Sequence, residues 1–99
     1  MRKEFIINGK NFNDMKGFYD EIDDVFTFNL GWKIGRNLDA FNDILSGGFG
    51  KHEYGEPILI KWLYFKMSEH NLGIETMRNI IEIILDTDNS EHDCLLEKL

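Results

Sequence analysis

Two aspartates, Asp39 and Asp43, are spaced so that their carboxylates could act together in catalysis or binding. They lie four residues apart in the stretch GRNLDAFNDILSGG, which carries apolar residues at helical spacing on its other face. Like charges one helical turn apart oppose each other by roughly a few tenths of a kcal/mol. The pair could be a general acid and base, could present carboxylates to a cationic partner, or could belong to an ordinary solvated helix face.

Acid–base catalysis requires a cleft in which two carboxyl groups have different pKa values. Asp39 and Asp43 are predicted to face outward from a helix that packs on the core, and the sequence indicates no cleft. No serine lies in a G-x-S-x-G motif, and Cys94 lies in an apolar run typical of a small buried thiol. We therefore expect no enzyme. A small acid–base hydrolase stays open as an alternative.

Three further patterns resemble cofactor sites but lack their spacing. Residues 47–51, GGFGK, resemble a phosphate loop, but Leu45 stands where a glycine is required and the loop follows a helix. A calcium-like run needs glycine where Glu91 stands, although four positions fit: Asp86, Asp88, Ser90 and Glu97. Three histidines lack metal-ligand spacing and are predicted to be surface or loop residues: His52, His70 and His92. We expect no cofactor and no metal.

Composition indicates one globular domain, residues 1–99, and restricts its partners. The chain is 42% hydrophobic and 13% aromatic, which is typical of a protein with a single core. Its formal net charge of −7 argues against direct binding to nucleic acids or anionic membranes, which are polyanions. The same charge fits a basic protein partner.

The chain shows no signal for export or membrane insertion. No apolar run approaches the roughly 18 residues of a membrane span, and the N-terminal stretch MRKEFIINGK lacks a signal-peptide core. Its one cysteine cannot form an intramolecular disulfide. We therefore expect a cytoplasmic protein with no membrane partner.

The pattern along the chain predicts an α/β fold with the order β-α-α-β-α-α-β. Residues 4–9 predict the first strand, ended by an Asn-Gly turn. The continuous apolar run PILIKW, residues 57–62, predicts a strand covered on both faces, and HDCLLEKL supplies the third. Because helices link these strands, we expect a small parallel sheet with right-handed crossovers.

Four helices are predicted between the strands. The first follows Asn13 or Asp14 as N-cap, and the second begins after Asn37 and ends at Gly47 and Gly48. The third is stopped by a glycine at position 73. The fourth has one apolar stripe predicted to face inward: Ile74, Met77, Ile80, Ile81, Ile84 and Leu85.

Residues 34–48, IGRNLDAFNDILSGG, resemble the central motif of the barstar family, the intracellular inhibitors of small secreted microbial ribonucleases. Seven positions match that motif: Gly35, Asn37, Leu38, Asp39, Ala40, Asp43 and Leu45. Residues 5–9 resemble the first strand of the family, and residues 59–68 resemble the second strand and the helix after it. The resemblance implies a small three-stranded parallel sheet packed by about four helices, in agreement with the pattern along the chain.

What the resemblance implies is a monomeric protein that inhibits a basic microbial ribonuclease one to one. The second helix and the loop before it would enter the cleft of the enzyme, where their carboxylates replace RNA phosphates. Asp43 aligns with the acid that enters deepest, and Asp86 falls near a glutamate of the fourth helix. The implied contact residues are Trp32, Lys33, Ile34, Gly35, Asn37, Leu38, Asp39, Asn42, Asp43, Gly47 and Asp86.

The chain also departs from the family motif. Lys33 and Ile34 stand where an aromatic pair is usual, Asn42 replaces an aromatic residue, and Arg36 replaces an acid. The loop over residues 48–56 is longer than usual. Lys33 and Arg36 are predicted to face a basic cleft unfavourably. A barstar-like module that binds a cationic protein other than a nuclease is therefore the alternative function.

Overall fold

The computed structural model describes residues 1–48, 50–86 and 92–99. A short 3₁₀ turn, Gly9–Asn11, follows the first strand. The strands and helices are β1 (Lys3–Asn8), α1 (Met15–Phe26), α2 (Leu38–Ser46), β2 (Ile58–Leu63), α3 (Phe65–Leu72), α4 (Ile74–Leu85) and β3 (Cys94–Lys98). The predicted fold class and order are confirmed. Phe49 of the phosphate-like loop, and Asp88, Ser90 and Glu91 of the calcium-like run, lie outside the described residues.

The three strands form one parallel sheet in the order β1-β2-β3. In its register Phe5 pairs with Ile60, and Ile60 pairs with Leu96. Because the chain crosses the sheet in one direction, right-handed crossovers place the helices on one face. Alternate residues of the strands are buried beneath those helices: Phe5, Ile7, Ile58, Ile60, Trp62 and Cys94.

The other face of the sheet is open, so the prediction that β2 is covered on both faces is wrong. The residues of β2 alternate between buried and half-buried. Ile6 of β1 and Leu95 of β3 are about half exposed, at 52% and 50%. Lys61 lies on this face, where its Nζ is 2.9 Å from Oε1 of Glu4. An apolar run in β2 therefore reflects a central position in the sheet and not a second helical layer.

Trp62 lies at the centre of the core and is fully buried. Its ring stacks on Phe18 of α1 at a centroid distance of 5.8 Å, and Phe18 contacts Phe41 of α2 at 5.3 Å. The indole Nε1–H donates to Oγ of Ser68, 3.0 Å away. A buried indole needs such an acceptor. Trp62 thus joins β2 to α1 and α3, and Phe18 extends the contact to α2.

The apolar stripe of α4 faces the core only along its middle. Met77, Ile80 and Ile84 are buried, whereas Ile74 and Leu85 are 68% and 47% exposed. The inward prediction is therefore wrong at both ends of the helix. Periodicity gives the direction of a side chain, but it does not say how far the neighbouring layer extends. No helix in the described part of the chain has the length and apolar character needed to cross a bilayer.

The histidines lie in loops or at the surface, as predicted, but the two in loops are buried. His70 is exposed on α3. His52 and His92 are each only 3% exposed. Nε2 of His52 lies 3.0 Å from the carbonyl oxygen of Leu45, and Nε2 of His92 lies 2.8 Å from that of Ile83. Both carbonyls belong to the last turn of a helix, so each imidazole satisfies a helix C-terminus.

Candidate functional site

Helix α2 positions the two aspartates. The Asn37 side chain accepts a hydrogen bond from the backbone N–H of Ala40 at 2.8 Å, which fixes the start of the helix as predicted. Its inner face is buried through Phe41, Ile44 and Leu45. Asp39 and Asp43 are therefore exposed on the outer face. Within the described residues, neither carboxylate has a hydrogen-bond or ion-pair partner.

A groove of about 190 Å³ runs between α2 and the loop that precedes it. We call it the acid groove, and it is lined by Trp32, Lys33, Ile34, Gly35, Ala40, Asp43 and Ile44. Asp43 supplies its carboxylate, and more of its exposed lining is apolar than polar. The sequence indicates no cleft, and the groove that the structure shows there is lined by Asp43 but not by Asp39. A loop folds back beside the helix, which helical spacing alone does not indicate.

The loop between α1 and α2 is held in place by Asp23, a residue of α1 that is only 7% exposed. Its Oδ1 accepts hydrogen bonds from the backbone N–H of Ile34 at 2.9 Å and from the hydroxyl of Thr27 at 3.2 Å. Its Oδ2 lies 2.7 Å from Nη1 of Arg36. One buried carboxylate thus fixes the wall of the acid groove.

Arg36 completes this arrangement from the other side. Its Nη2 donates to Oδ1 of Asp20 at 2.8 Å, and its Nη1 donates to the carbonyl of Ile34 at 3.0 Å. The hydrogen bond to Asp23 raises the pKa of the guanidinium above its ordinary value. Two acids of α1 compensate the charge of Arg36 in the free protein, and its unfavourable effect on a basic partner stays a prediction. Lys33 is exposed and lines the acid groove.

The predicted contact residues fall into three groups in the structure. One group lines the acid groove: Trp32, Lys33, Ile34, Gly35 and Asp43. A second lies on or beside α2: Asn37, Leu38, Asp39, Asn42 and Gly47. Of these, Leu38 and Asn42 are half-buried and Gly47 is buried. Asp86 stands apart at the end of α4, where it lines another groove with Asn79, Glu82 and Ile83.

Sequence reasoning missed two kinds of residue at this site. Ala40 and Ile44 line the acid groove beside Asp43. Ala40 and Asp43 are three residues apart and therefore adjacent on the helix surface. A small residue next to an acid was the sequence feature that could have indicated a groove at this place. Asp20 and Asp23 had no such signal, because their pairing with Arg36 joins distant parts of the chain. Across residues 1–48, 50–86 and 92–99, no group of three or more potential ligands could hold a metal ion.

The residues of this site lie within a match to a known protein family. The sequence model of the family described as Barstar (barnase inhibitor) matches residues 2–96. The chain belongs to the Barstar family. No curated protein matches the sequence. The Barstar match extends from β1 into β3 and so includes the loop, α2 and the acid groove. The resemblance in residues 34–48 is thereby confirmed, and the family as a whole is one of ribonuclease inhibitors.

Proposed function

We propose that this Barstar chain inhibits a small basic ribonuclease by placing α2 and the preceding loop in its RNA-binding cleft. The observation that carries the proposal is the free carboxylate of Asp43, exposed on the wall of the acid groove. Asp39, one turn earlier, is exposed and unpartnered within the described residues. A ribonuclease cleft holds Arg, Lys and His side chains that bind phosphates, and carboxylates can occupy the same positions.

The gain on binding is large because these acids are unpaired in the free protein. Asp43 has no internal ion pair to break, so its pairing with fixed cations opposes only desolvation and ordering. Asp39 lies in the first turn of α2, where the helix dipole stabilises its charge before binding. The mild repulsion between the two acids in the free helix is relieved when cations are placed beside them.

The remaining predicted contacts have different roles in this proposal. Trp32, Lys33 and Gly35 form the rim that meets the enzyme, with Asn42 beside them. Ile34 and Gly47 are buried, so they shape the surface without large contacts of their own. Asp86 would form a separate contact from the end of α4.

The whole molecule contributes through its charge. A net charge of −7 attracts a basic enzyme over a distance and raises the association rate, an effect that added salt screens. We propose a one-to-one complex of a monomeric cytoplasmic protein that is not an enzyme. It requires no direct contact with nucleic acid or membrane.

Capture of the partner tests this function. We would immobilise the wild type, an Asp39→Ala/Asp43→Ala variant and a Glu75→Ala/Glu97→Ala control that removes the same charge elsewhere. Each is exposed to the secreted proteins of the source organism and, separately, to purified barnase, which the family description names. The proposal expects the wild type and the control to retain a basic protein whose RNA cleavage reappears on release. Equal retention by the double aspartate variant would exclude α2 as the site.

Lys33 supports a second candidate, a module that regulates a cationic protein other than a nuclease. It is exposed and lines the acid groove, so it places a positive charge beside Asp43. Most family members carry two aromatic residues where this chain has Lys33 and Ile34. A partner that fits Lys33 would therefore differ from a partner that fits those aromatic residues. The same capture distinguishes the two functions, because a partner that cleaves no RNA after release belongs to the second.

A further inference from the structure

A second groove, of about 290 Å³, lies on the other side of Trp32. We call it the flank groove. It is lined by residues of the α1 C-terminus and the following turn, including Asp24, Thr27, Phe28 and Asn29. Trp32 and Lys33 line both grooves, so they form the ridge between them. The two grooves are therefore one continuous surface divided by an indole.

The apolar side chains of this loop face solvent although its backbone is fixed. Phe28, Leu30 and Trp32 are 53%, 44% and 41% exposed. The N–H of Leu30 donates to the carbonyl of Thr27 at 3.0 Å, and the N–H of Ile34 donates to Asp23. Large apolar side chains exposed this close together on an ordered turn are typical of a surface that binds another protein.

Among the described residues, the flank groove carries one carboxylate without an ion pair, beside the Lys33 ammonium on the ridge that it shares with the acid groove. Asp24 is exposed and has no ion pair among the described residues, whereas the charge of Asp23 is compensated by Arg36. Nζ of Lys51 lies 5.1 Å from the centroid of the Phe28 ring, so Phe28 already holds a cation and Trp32 is the aromatic side chain left for an incoming one. An arginine suits a site that combines aromatic faces with a carboxylate, because its planar guanidinium stacks and pairs at once.

We infer that the flank groove receives an arginine side chain of the same basic partner that meets Asp43 in the acid groove. The inference rests on the proposed function for the identity of that partner. The guanidinium stacks on Trp32 and pairs with Asp24. The partner is then held on both sides of the Trp32 ridge. The protein would then bind ribonucleases that have an arginine beside the catalytic cleft more tightly than ribonucleases that lack one. An inhibitor that contacts only the cleft would not make this distinction.

A titration with small probes tests the groove without any ribonuclease. N-acetylarginine amide and its neutral analogue N-acetylcitrulline amide are added to labelled protein, and NMR shifts are followed at the Thr27 and Asn29 amides and the Trp32 indole. The indole of Trp62 is the internal reference, since it is buried and donates to Ser68. The variants are Asp24→Asn and Asp43→Asn. Both substitute exposed side chains, so the fold is retained.

The arginine probe is expected to shift the Thr27 and Asn29 signals, and the citrulline probe to shift them much less. Asp24→Asn should reduce the arginine response about threefold, the scale of an exposed ion pair. Asp43→Asn should leave these two signals unchanged. Absent shifts, equal shifts with both probes, or shifts insensitive to Asp24→Asn would overturn the inference. None of these results touches the inhibitor proposal, which fails only if Asp43 is dispensable for ribonuclease binding.

Discussion

Arg36 and Asp23 form the ion pair that links the loop before α2 to helix α1. Nη1 of Arg36 lies 2.7 Å from Oδ2 of Asp23, and the other oxygen of that carboxylate accepts the N–H of Ile34. Ile34 lines the acid groove opposite Asp43 of α2. The basic residue that departs from the family motif therefore supports the loop, and Asp20 and Asp23 compensate its charge.

Removal of the Asp23 carboxylate should destabilise the protein and weaken partner binding together. Asp23→Ala leaves the buried N–H of Ile34 without its acceptor and Arg36 without its closest counter-charge. We expect a loss of about 2–3 kcal/mol in the free energy of unfolding, measured by urea denaturation. Asp20→Ala is the matched control, since Asp20 is exposed and contacts the same arginine. Its loss should stay below about 1 kcal/mol, and equal losses would contradict the assigned role of Asp23.

Gly47 is required by both its backbone angle and the space around it. Its φ is +91°, and a Cβ at this position would lie 2.1 Å from the carbonyl oxygen of Glu53. Gly47→Ala should therefore cost about 3 kcal/mol or more in thermal or urea unfolding. Gly31 is the matched control, because its φ is +81° and a Cβ added there would meet no atom within 4 Å. Gly31→Ala should cost only the conformational strain, about 1 kcal/mol.

Cys94 should make the protein less stable at high pH. Burial raises the pKa of its thiol from an ordinary 9.0 to about 12. Below pH 9 the thiol is protonated in both the folded and the unfolded protein, so its contribution to the free energy of unfolding does not change with pH. Above pH 9 the unfolded thiol loses its proton while the folded thiol keeps it. The free energy of unfolding then falls as the pH rises towards 12, by up to about 1.4 kcal/mol per pH unit.

The comparison with Cys94→Ala isolates this effect. Burial also raises the pKa of Tyr19, which contributes in the same direction at higher pH in both proteins. The cavity left by the alanine changes the free energy of unfolding by a constant amount. The difference in the free energy of unfolding between the wild type and Cys94→Ala should therefore be constant below pH 9 and become smaller above it. A difference independent of pH up to pH 12 would contradict the buried, protonated thiol.

Local features were predictable from the sequence because their causes lie within a few residues. The Asn37 cap, the buried stripe of α2 and the glycine at its end follow from helix geometry. The parallel sheet follows from strands separated by helices. The outward direction of Asp39 and Asp43 was predictable for the same reason, since the opposite face of α2 is apolar.

The acid groove was not predictable, because it depends on where the preceding loop lies. That position is set by Asp23 and Arg36, which are 13 residues apart in the chain and 2.7 Å apart in space. The burial of His52 likewise depends on the rings of Phe5 and Phe26, 5.3 and 5.8 Å away, which belong to other elements. Spacing along one helix carries no information on such contacts.

The most direct test of the proposed function is to measure how much Asp43 contributes to the affinity for a ribonuclease. We would determine the dissociation constant of the captured ribonuclease, with barnase as the first enzyme tried, for the wild type, Asp43→Ala and the distant control Glu75→Ala. Asp43→Ala should weaken binding by at least about 2 kcal/mol, or about thirtyfold, with the control nearly unchanged. That threshold is the general hot-spot scale, which barnase–barstar complexes themselves helped to define. A loss below about 1 kcal/mol in a folded variant would contradict the role of Asp43 as the acid that blocks the cleft.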